Sequence, residues 1–127
     1  MQNQDLPDWT LNHLQPDENS PEWFKKAVKM PVTSSFVTVD DCPIHYLTWV
    51  PNSKPSNPTK KSLLFVHGGG AHANWWRFVA PSFTGKYKVS AIDLSGMGNS
   101  GKRKNYSAAQ RAKEILQVLK SAELSPN

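Results

Sequence analysis

The pattern of apolar and polar positions first predicts a short helix and then a β-hairpin. The helix is expected over residues 21–29, with Ser20 as its N-cap and a proline in its first turn. Two β-rich runs follow, over 36–39 and 44–50. The stretch between them, 40–43, has turn composition, so the two runs are predicted to pair as antiparallel strands.

The second half of the chain alternates between strand and helix patterns. The run 62–67 is apolar at successive positions, which is typical of a strand buried on both faces in a parallel sheet. A helix is predicted over 74–83, a strand over 87–92 and a second helix over 107–124. A capping box of Ser107 and Gln110 is expected to begin that last helix. Its buried stripe is expected to comprise Ala112, Ile115, Leu116, Leu119 and Ala122.

This order of elements predicts an α/β fold. A hairpin is followed by parallel strands with flanking helices, so the sheet has an antiparallel start and a parallel continuation. The chain of 127 residues is the length of one ordinary domain. We expect residues 1–19 to form a flexible leader and residues 20–127 to form the folded part.

Composition narrows the class of protein. Hydrophobic residues make up 38% of the chain and the mean hydropathy is −0.56, with no apolar run of membrane-spanning length. The net charge of +5 comes from small groups of lysine and arginine without interleaved aromatic residues, so we expect neither a nucleic-acid nor a membrane partner. The one cysteine, Cys42, is interpreted as an ordinary turn residue. A cytoplasmic location is expected, because the N-terminus has no secretory pattern.

A glycine cluster directly after a buried strand is the main chemical signal. Three glycines, Gly68 to Gly70, follow His67, and backbone N–H groups in such a loop can approach a bound group closely. They suit either a phosphate or a developing oxyanion. A second glycine-bearing loop, 94–100, follows the next predicted strand and the acidic residue Asp93.

Together these two loops resemble those of the α/β-hydrolase fold family over about residues 35–124. The segment 64–70 is similar to the family's HG loop, and 93–100 resembles its D-x-x-G-x-G-x-S turn. The resemblance implies a strand order of 1-2-4-3-5, in which this chain supplies the first four strands. It also implies a small-molecule substrate and an acyl-enzyme mechanism, with neither a cofactor nor a metal; the oligomeric state stays open.

The resemblance also assigns roles to individual residues. The backbone N–H of Gly69 is expected to be an oxyanion donor, with Gly70 second because the run of three glycines leaves the register open. The other motif residues are expected at the edge of the pocket. They are His67, Gly68, His72, Asp93, Gly96, Gly98 and Ser100.

The family's nucleophile motif, G-x-S-x-G, is missing from this sequence. The nearest string is 98–102, which lacks the final glycine, and no histidine follows a plausible nucleophile. We therefore expect the N-terminal part of an α/β-fold hydrolase, an esterase or a C–C or related bond hydrolase, truncated before the nucleophile elbow and inactive alone.

Two alternatives remain open at this point. The residues Gly68, Gly70 and Ala73 satisfy a G-x-G-x-x-G/A pattern after a strand, and Asp93 lies at the end of the next strand, as in a dinucleotide-binding, Rossmann-like oxidoreductase domain. The bulky Trp75 and the preceding hairpin disfavour that interpretation. A non-catalytic interaction module is the other alternative, because a catalytic triad is not identified.

Overall fold

A computed structural model describes residues 15–50 and 61–123 of the chain. It contains a four-stranded mixed sheet in the order β1-β2-β4-β3, with helices beside it. The elements are α1 (Glu22–Lys29), β1 (Val32–Val39), β2 (Cys42–Trp49), β3 (Ser62–Val66), β4 (Lys88–Ile92) and α2 (Ala108–Glu123). The predicted α/β fold class is confirmed: an antiparallel hairpin continues into a parallel pair of strands with helices beside the sheet.

The hairpin of β1 and β2 is closed by a turn of only two residues. Val39 pairs with Cys42, and the turn residues Asp40 and Asp41 both have positive φ, 45° and 63°. Such a pair of left-handed residues is the type I′ turn, whose twist matches that of the two strands. The prediction that Cys42 lies in the turn was wrong, because Cys42 begins β2 and is 3% exposed.

In the described sheet, β4 lies between β2 and β3. Tyr46 of β2 pairs antiparallel with Ile92, and β3 pairs with β4 in parallel along its whole length, from Ser62 opposite Lys88 to Val66 opposite Ile92. Within the described ranges, β1 and β3 are therefore the two edges of the sheet. The carboxyl ends of the parallel strands β3 and β4 lie side by side, which brings the two glycine-bearing loops together.

Each face of the sheet has its own apolar cluster. The first cluster lies under α2 and contains the buried residues Val39, Cys42, Ile44, Tyr46, Ile92, Leu94, Val118 and Ala122. The second lies on the opposite face and contains Leu47, Trp49, Ala73, Ala80, Val89 and Ala91. In β3, Leu64 packs against the first cluster and Phe65 against the second, so this strand has apolar contacts on both faces.

The helix predicted over 74–83 was wrong. The chain forms two short 3₁₀ segments instead, Ala73–Trp76 and Ala80–Phe83. Pro81 accounts for the break: it has no N–H to donate, and its ring disfavours an α-helical conformation at the preceding residue. Short-range bonds, such as that from the Val79 N–H to the Trp76 carbonyl, satisfy the backbone in place of a continuous helix.

The predicted helix starts are confirmed only in part. Pro21, not Ser20, is the N-cap of α1, and the Ser20 hydroxyl instead accepts the Asp17 N–H. Ser107 does cap α2, since its hydroxyl accepts the Gln110 N–H at 3.1 Å. The Gln110 side chain does not return to the cap, however; it donates to Asp40 across the molecule.

The buried stripe of α2 differs from the predicted one. Ala112 is exposed and Leu116 is 65% exposed, whereas Val118 and Glu114 are fully buried. A buried carboxylate needs partners, and Glu114 has them. Its oxygens accept the Ser95 N–H at 2.9 Å, the Ser95 hydroxyl at 2.6 Å and the Arg103 guanidinium at 2.9 Å. These bonds set the rotation of α2, which turns Leu116 to the outside.

Asp40 joins the hairpin turn to the exposed side of α2. Its carboxylate accepts a hydrogen bond from Gln110 and one from Lys113, each at 3.1 Å. The Gln110 bond and, after it, the Lys113 bond and charge hold the pKa of Asp40 below its ordinary value of 3.8. Both donors favour the charged carboxylate, so the contact depends on ionised Asp40.

We expect this contact to be lost in acid. A carboxyl with a depressed folded pKa stabilises the fold above its unfolded pKa, and that stabilisation disappears as pH falls through the folded value. An NMR titration of the Asp40 side chain should give a pKa below 3.8. Gln110→Ala should raise that pKa towards the ordinary value, while Gln117→Ala, further along α2, should leave it unchanged. An unshifted Asp40 in the unsubstituted chain would contradict the contact.

Candidate functional site

The glycine loop after β3 is a tight turn with exposed amides. The Ala71 N–H donates to the Gly68 carbonyl at 3.1 Å, and Gly70 has φ of +74° whereas Gly69 does not have a positive φ. A left-handed residue at the third position identifies a type II turn. Among the described residues, no acceptor bonds the N–H of Gly69 or Gly70. Both amides are therefore open to a bound group.

The space above this turn is empty as well. A Cβ added to Gly68, Gly69 or Gly70 would meet no heavy atom within 4 Å. Packing within the described chain therefore does not require glycine at 68 or 69. Of these three positions, only 70 requires glycine, because its φ is positive. The other consequence is that a ligand can approach the Gly69 amide without a side chain in its way.

His67 fixes the start of this loop to the end of β4. It is 5% exposed; its Nε2 accepts the Leu94 N–H at 3.0 Å, and its Nδ1 lies 2.8 Å from the Gly68 carbonyl. Because Nε2 accepts a backbone N–H, the ring proton lies on Nδ1 and is donated to that carbonyl. Both ring nitrogens are thus used internally, which assigns His67 a structural task at the start of the loop.

Asp93 is the centre of the second loop. The residue is 2% exposed, and its Oδ1 accepts the Ala73 N–H at 2.6 Å. Its Oδ2 accepts the Asn99 N–H at 3.0 Å and lies 2.7 Å from Nδ1 of His45. One carboxylate therefore joins the end of the glycine loop, the 94–100 loop and β2. Hydrogen bonds to one buried carboxylate therefore hold these three segments together.

The remaining residues of this loop fit closely around Asp93. The Ser100 hydroxyl donates to the Asp93 carbonyl at 2.5 Å and accepts the His45 N–H at 2.8 Å. Gly98 has φ of +53°, and a Cβ there would lie 2.3 Å from the carboxyl carbon of Asp93. Gly96 has φ of +79°, and a Cβ there would lie 2.6 Å from the Tyr106 hydroxyl. Gly98 is therefore required by space as well as by conformation, since Asp93 is buried, whereas Gly96 is required by its positive φ, because the exposed Tyr106 side chain can move aside.

His45 is the functional neighbour that the sequence pattern did not reveal. Its Nδ1 is hydrogen-bonded to Asp93 Oδ2 at 2.7 Å, and its Nε2 is hydrogen-bonded to the Ser34 hydroxyl at 2.5 Å. This serine, histidine and carboxylate have the connectivity of a catalytic triad, but His45 is only 1% exposed, so a substrate has no access to its ring. The arrangement ties β1 and β2 to the site. A signal was present: His45 alternates with the apolar Leu47 and Trp49 on one strand face and so should be buried.

His72 and Trp75 border the loop on its far side. His72 is 3% exposed, and its ring centroid lies 6.3 Å from that of Trp75, which is 47% exposed. Trp75 thus presents an exposed aromatic surface four residues after Ala71, the last residue of the turn. In the described ranges no group of three potential ligands could hold a metal ion, and no helix is long and apolar enough to cross a bilayer.

Substitutions at Gly98 and Gly69 should distinguish a glycine that packing requires from a glycine beside open space. Gly98→Ala should lower the free energy of unfolding by about 2–4 kcal/mol, because the new methyl group overlaps the Asp93 carboxyl at a positive φ. Gly69→Ala should change it by less than about 0.5 kcal/mol, since its methyl group enters open space. Urea unfolding followed by circular dichroism measures both, and equal losses in the two variants would refute this account of the loops.

Two curated relatives are similar to parts of this chain. A pimeloyl-[acyl-carrier protein] methyl ester esterase from Edwardsiella ictaluri is 33% identical over 57 residues, which is 45% of this chain and 22% of the relative. A coelenterazine h 2-monooxygenase from Renilla reniformis is 30% identical over 85 residues, 67% of this chain and 23% of the relative. The chain thus spans less than a quarter of the length of either relative.

Solved structures are similar over more of the chain. The Cif epoxide hydrolase from Acinetobacter nosocomialis matches with a TM-score of 0.59 and 32% identity, over 71% of this chain and 26% of its own. The sequence profile of the alpha/beta hydrolase fold matches residues 61–124, half of the chain. These residues include both glycine loops and Asp93 itself, and by this match the chain belongs to the α/β-hydrolase fold family.

Proposed function

We propose that this chain supplies the oxyanion loop of an α/β-fold hydrolase that acts on an ester or a related bond of a small molecule. The open N–H groups of Gly69 and Gly70 carry this proposal. Rigid backbone N–H groups without an internal acceptor are what a developing oxyanion needs, because they stabilise its charge without rearranging. The esterase and epoxide hydrolase relatives support a hydrolytic reaction class.

The surroundings of the turn support the same role. Asp93 holds the Ala73 N–H at one end of the loop, and the His67 ring bonds Leu94 at the other. An oxyanion donor must keep its position within a fraction of an ångström, which requires supporting bonds of this kind. The monooxygenase relative shows that the family also includes other chemistry, so we base the reaction class on the site and not on the fold.

The dinucleotide alternative fails on the geometry of Asp93. In a Rossmann-like site the acidic residue at the end of the second strand accepts the ribose hydroxyls. Here both carboxylate oxygens already accept internal donors, and Asp93 is 2% exposed. The glycines are also followed by a four-residue 3₁₀ segment, Ala73–Trp76, which offers no α-helix N-terminus for a pyrophosphate.

A loop graft tests the role of the Gly69 amide. Residues 66–73 replace the matching loop of the Edwardsiella esterase, and kcat is measured on its methyl ester substrate. Proline is favoured at the second position of a type II turn, so Gly69→Pro removes the N–H while keeping the turn. It should lower kcat by about 100- to 1000-fold.

Gly69→Ala is the matched control for this graft, because it keeps the N–H and its methyl group meets no atom within 4 Å. It should keep kcat within about threefold of the unsubstituted graft. If the proline and alanine variants turned over equally fast, Gly69 would not be an oxyanion donor. A graft that folds but is inactive with every residue at 69 would favour the non-catalytic alternative.

The 127-residue chain itself should not turn over esters. It contains the glycine loop but not the family's nucleophile motif, and its Ser-His-Asp arrangement is closed to substrate. Incubation with p-nitrophenyl acetate should give hydrolysis at the rate of a denatured control. Turnover above that rate, lost in Ser34→Ala or in Gly69→Pro, would show which of the two sites is active and would overturn this expectation.

A further inference from the structure

The outer edge of β1 has free backbone groups whose direction can be worked out from its neighbours. His45 donates its N–H to Ser100 and accepts the Asp93 N–H, so its backbone groups face away from β1. Phe36, which lies opposite His45, is therefore in a non-hydrogen-bonded pair. Since this pattern alternates along a strand, every second residue of β1 directs its N–H and C=O groups away from β2. No described strand pairs with them on that side. These residues are Val32, Ser34, Phe36 and Thr38.

This edge lacks the features that normally prevent strand pairing. All eight residues of β1 are uncharged, none is proline or glycine, and the register with β2 runs without a bulge. Natural edge strands are usually protected by lysine, proline, a bulge or short length. The other described edge, β3, differs: it has five residues and directly follows Lys61, which is exposed.

We propose that β1 pairs antiparallel with β1 of a second copy of this chain, which joins the two sheets into one. A two-fold axis at Ser35 places Ser34 opposite Phe36 of the other copy and Val32 opposite Thr38 of the other copy. Every residue with outward backbone groups then meets another such residue. The arrangement is self-complementary, as a two-fold interface requires, and forms about eight backbone hydrogen bonds.

The charges at the two ends of β1 favour this direction of pairing. Lys29, exposed at the end of α1, lies just before the strand, and Asp41, exposed in the hairpin turn, lies just after it. Within the described ranges neither side chain has an ion-pair partner. Antiparallel pairing brings Lys29 of each copy towards Asp41 of the other, whereas parallel pairing would bring like charges together.

A matched pair of variants at Ser34 tests the edge itself. Ser34→Pro and Ser34→Ala both remove the hydroxyl that bonds His45, but only proline also removes the outward N–H. By analytical ultracentrifugation of the full chain, we expect a dimer for the unsubstituted protein and for Ser34→Ala. Ser34→Pro should raise the dimer dissociation constant at least tenfold.

Lysine variants on the two edges decide which edge is used and do not depend on whether Ser34→Pro folds. Thr38→Lys places a charge on the outer edge of β1, at an exposed position, and should also raise the dissociation constant at least tenfold. Val66→Lys, at a position 39% exposed on β3, should leave it unchanged. A monomeric unsubstituted chain would overturn the proposal, as would dissociation by Val66→Lys alone. This inference is independent of the proposed hydrolase role.

Discussion

One buried carboxylate holds the candidate site together. Asp93 accepts the Ala73 N–H, the Asn99 N–H and the His45 ring N–H, so three separate segments converge on two oxygen atoms. A buried charge is stable only when it is paired or fully hydrogen-bonded, and each of these donors would in turn be left unsatisfied without it. The positions of both glycine loops therefore depend on this one side chain.

The same constraint explains why the motif residues around Asp93 are what they are. Gly98 must lack a side chain because the carboxyl group occupies that space, and Ser100 must carry a hydroxyl because the Asp93 carbonyl and the His45 N–H both use it. The motif 93–100, which the resemblance places at a pocket edge, thus contains residues that surround the Asp93 carboxylate and hydrogen-bond to Asp93. The glycines at 68 and 69 are different, since no packing within the described chain demands them.

Much of the fold could be predicted from the sequence, and the predictions that were wrong have local physical causes. The hairpin, the two parallel strands and the order of elements followed from periodicity, because each strand has a regular apolar pattern. The prediction of a helix over 74–83 was wrong because Pro81 interrupts the helix that the apolar pattern favours. The predicted stripe of α2 is confirmed at Ile115 and Ala122 but was wrong at Ala112 and Leu116, because the buried Glu114 is not visible in a pattern that counts only apolar residues. His45 was missed since its partners lie far away in the sequence.

Polar groups that the fold leaves open are informative because the buried histidines and carboxylates next to them are hydrogen-bonded, although the buried indole N–H groups of Trp49 and Trp76 are not. The ring nitrogens of His45 and His67 and the oxygens of Asp93 and Glu114 all have partners. Against that background, the N–H groups of Gly69 and Gly70 have no acceptor among the described residues, and no described strand pairs with the outer edge of β1. These two sets of open backbone groups suit different kinds of partner. A pair of rigid amides at the end of a parallel strand can stabilise a single small anion, whereas a row of alternating donors and acceptors can be satisfied only by another strand. The geometry of the open groups thus separates a site for chemistry from a site for association.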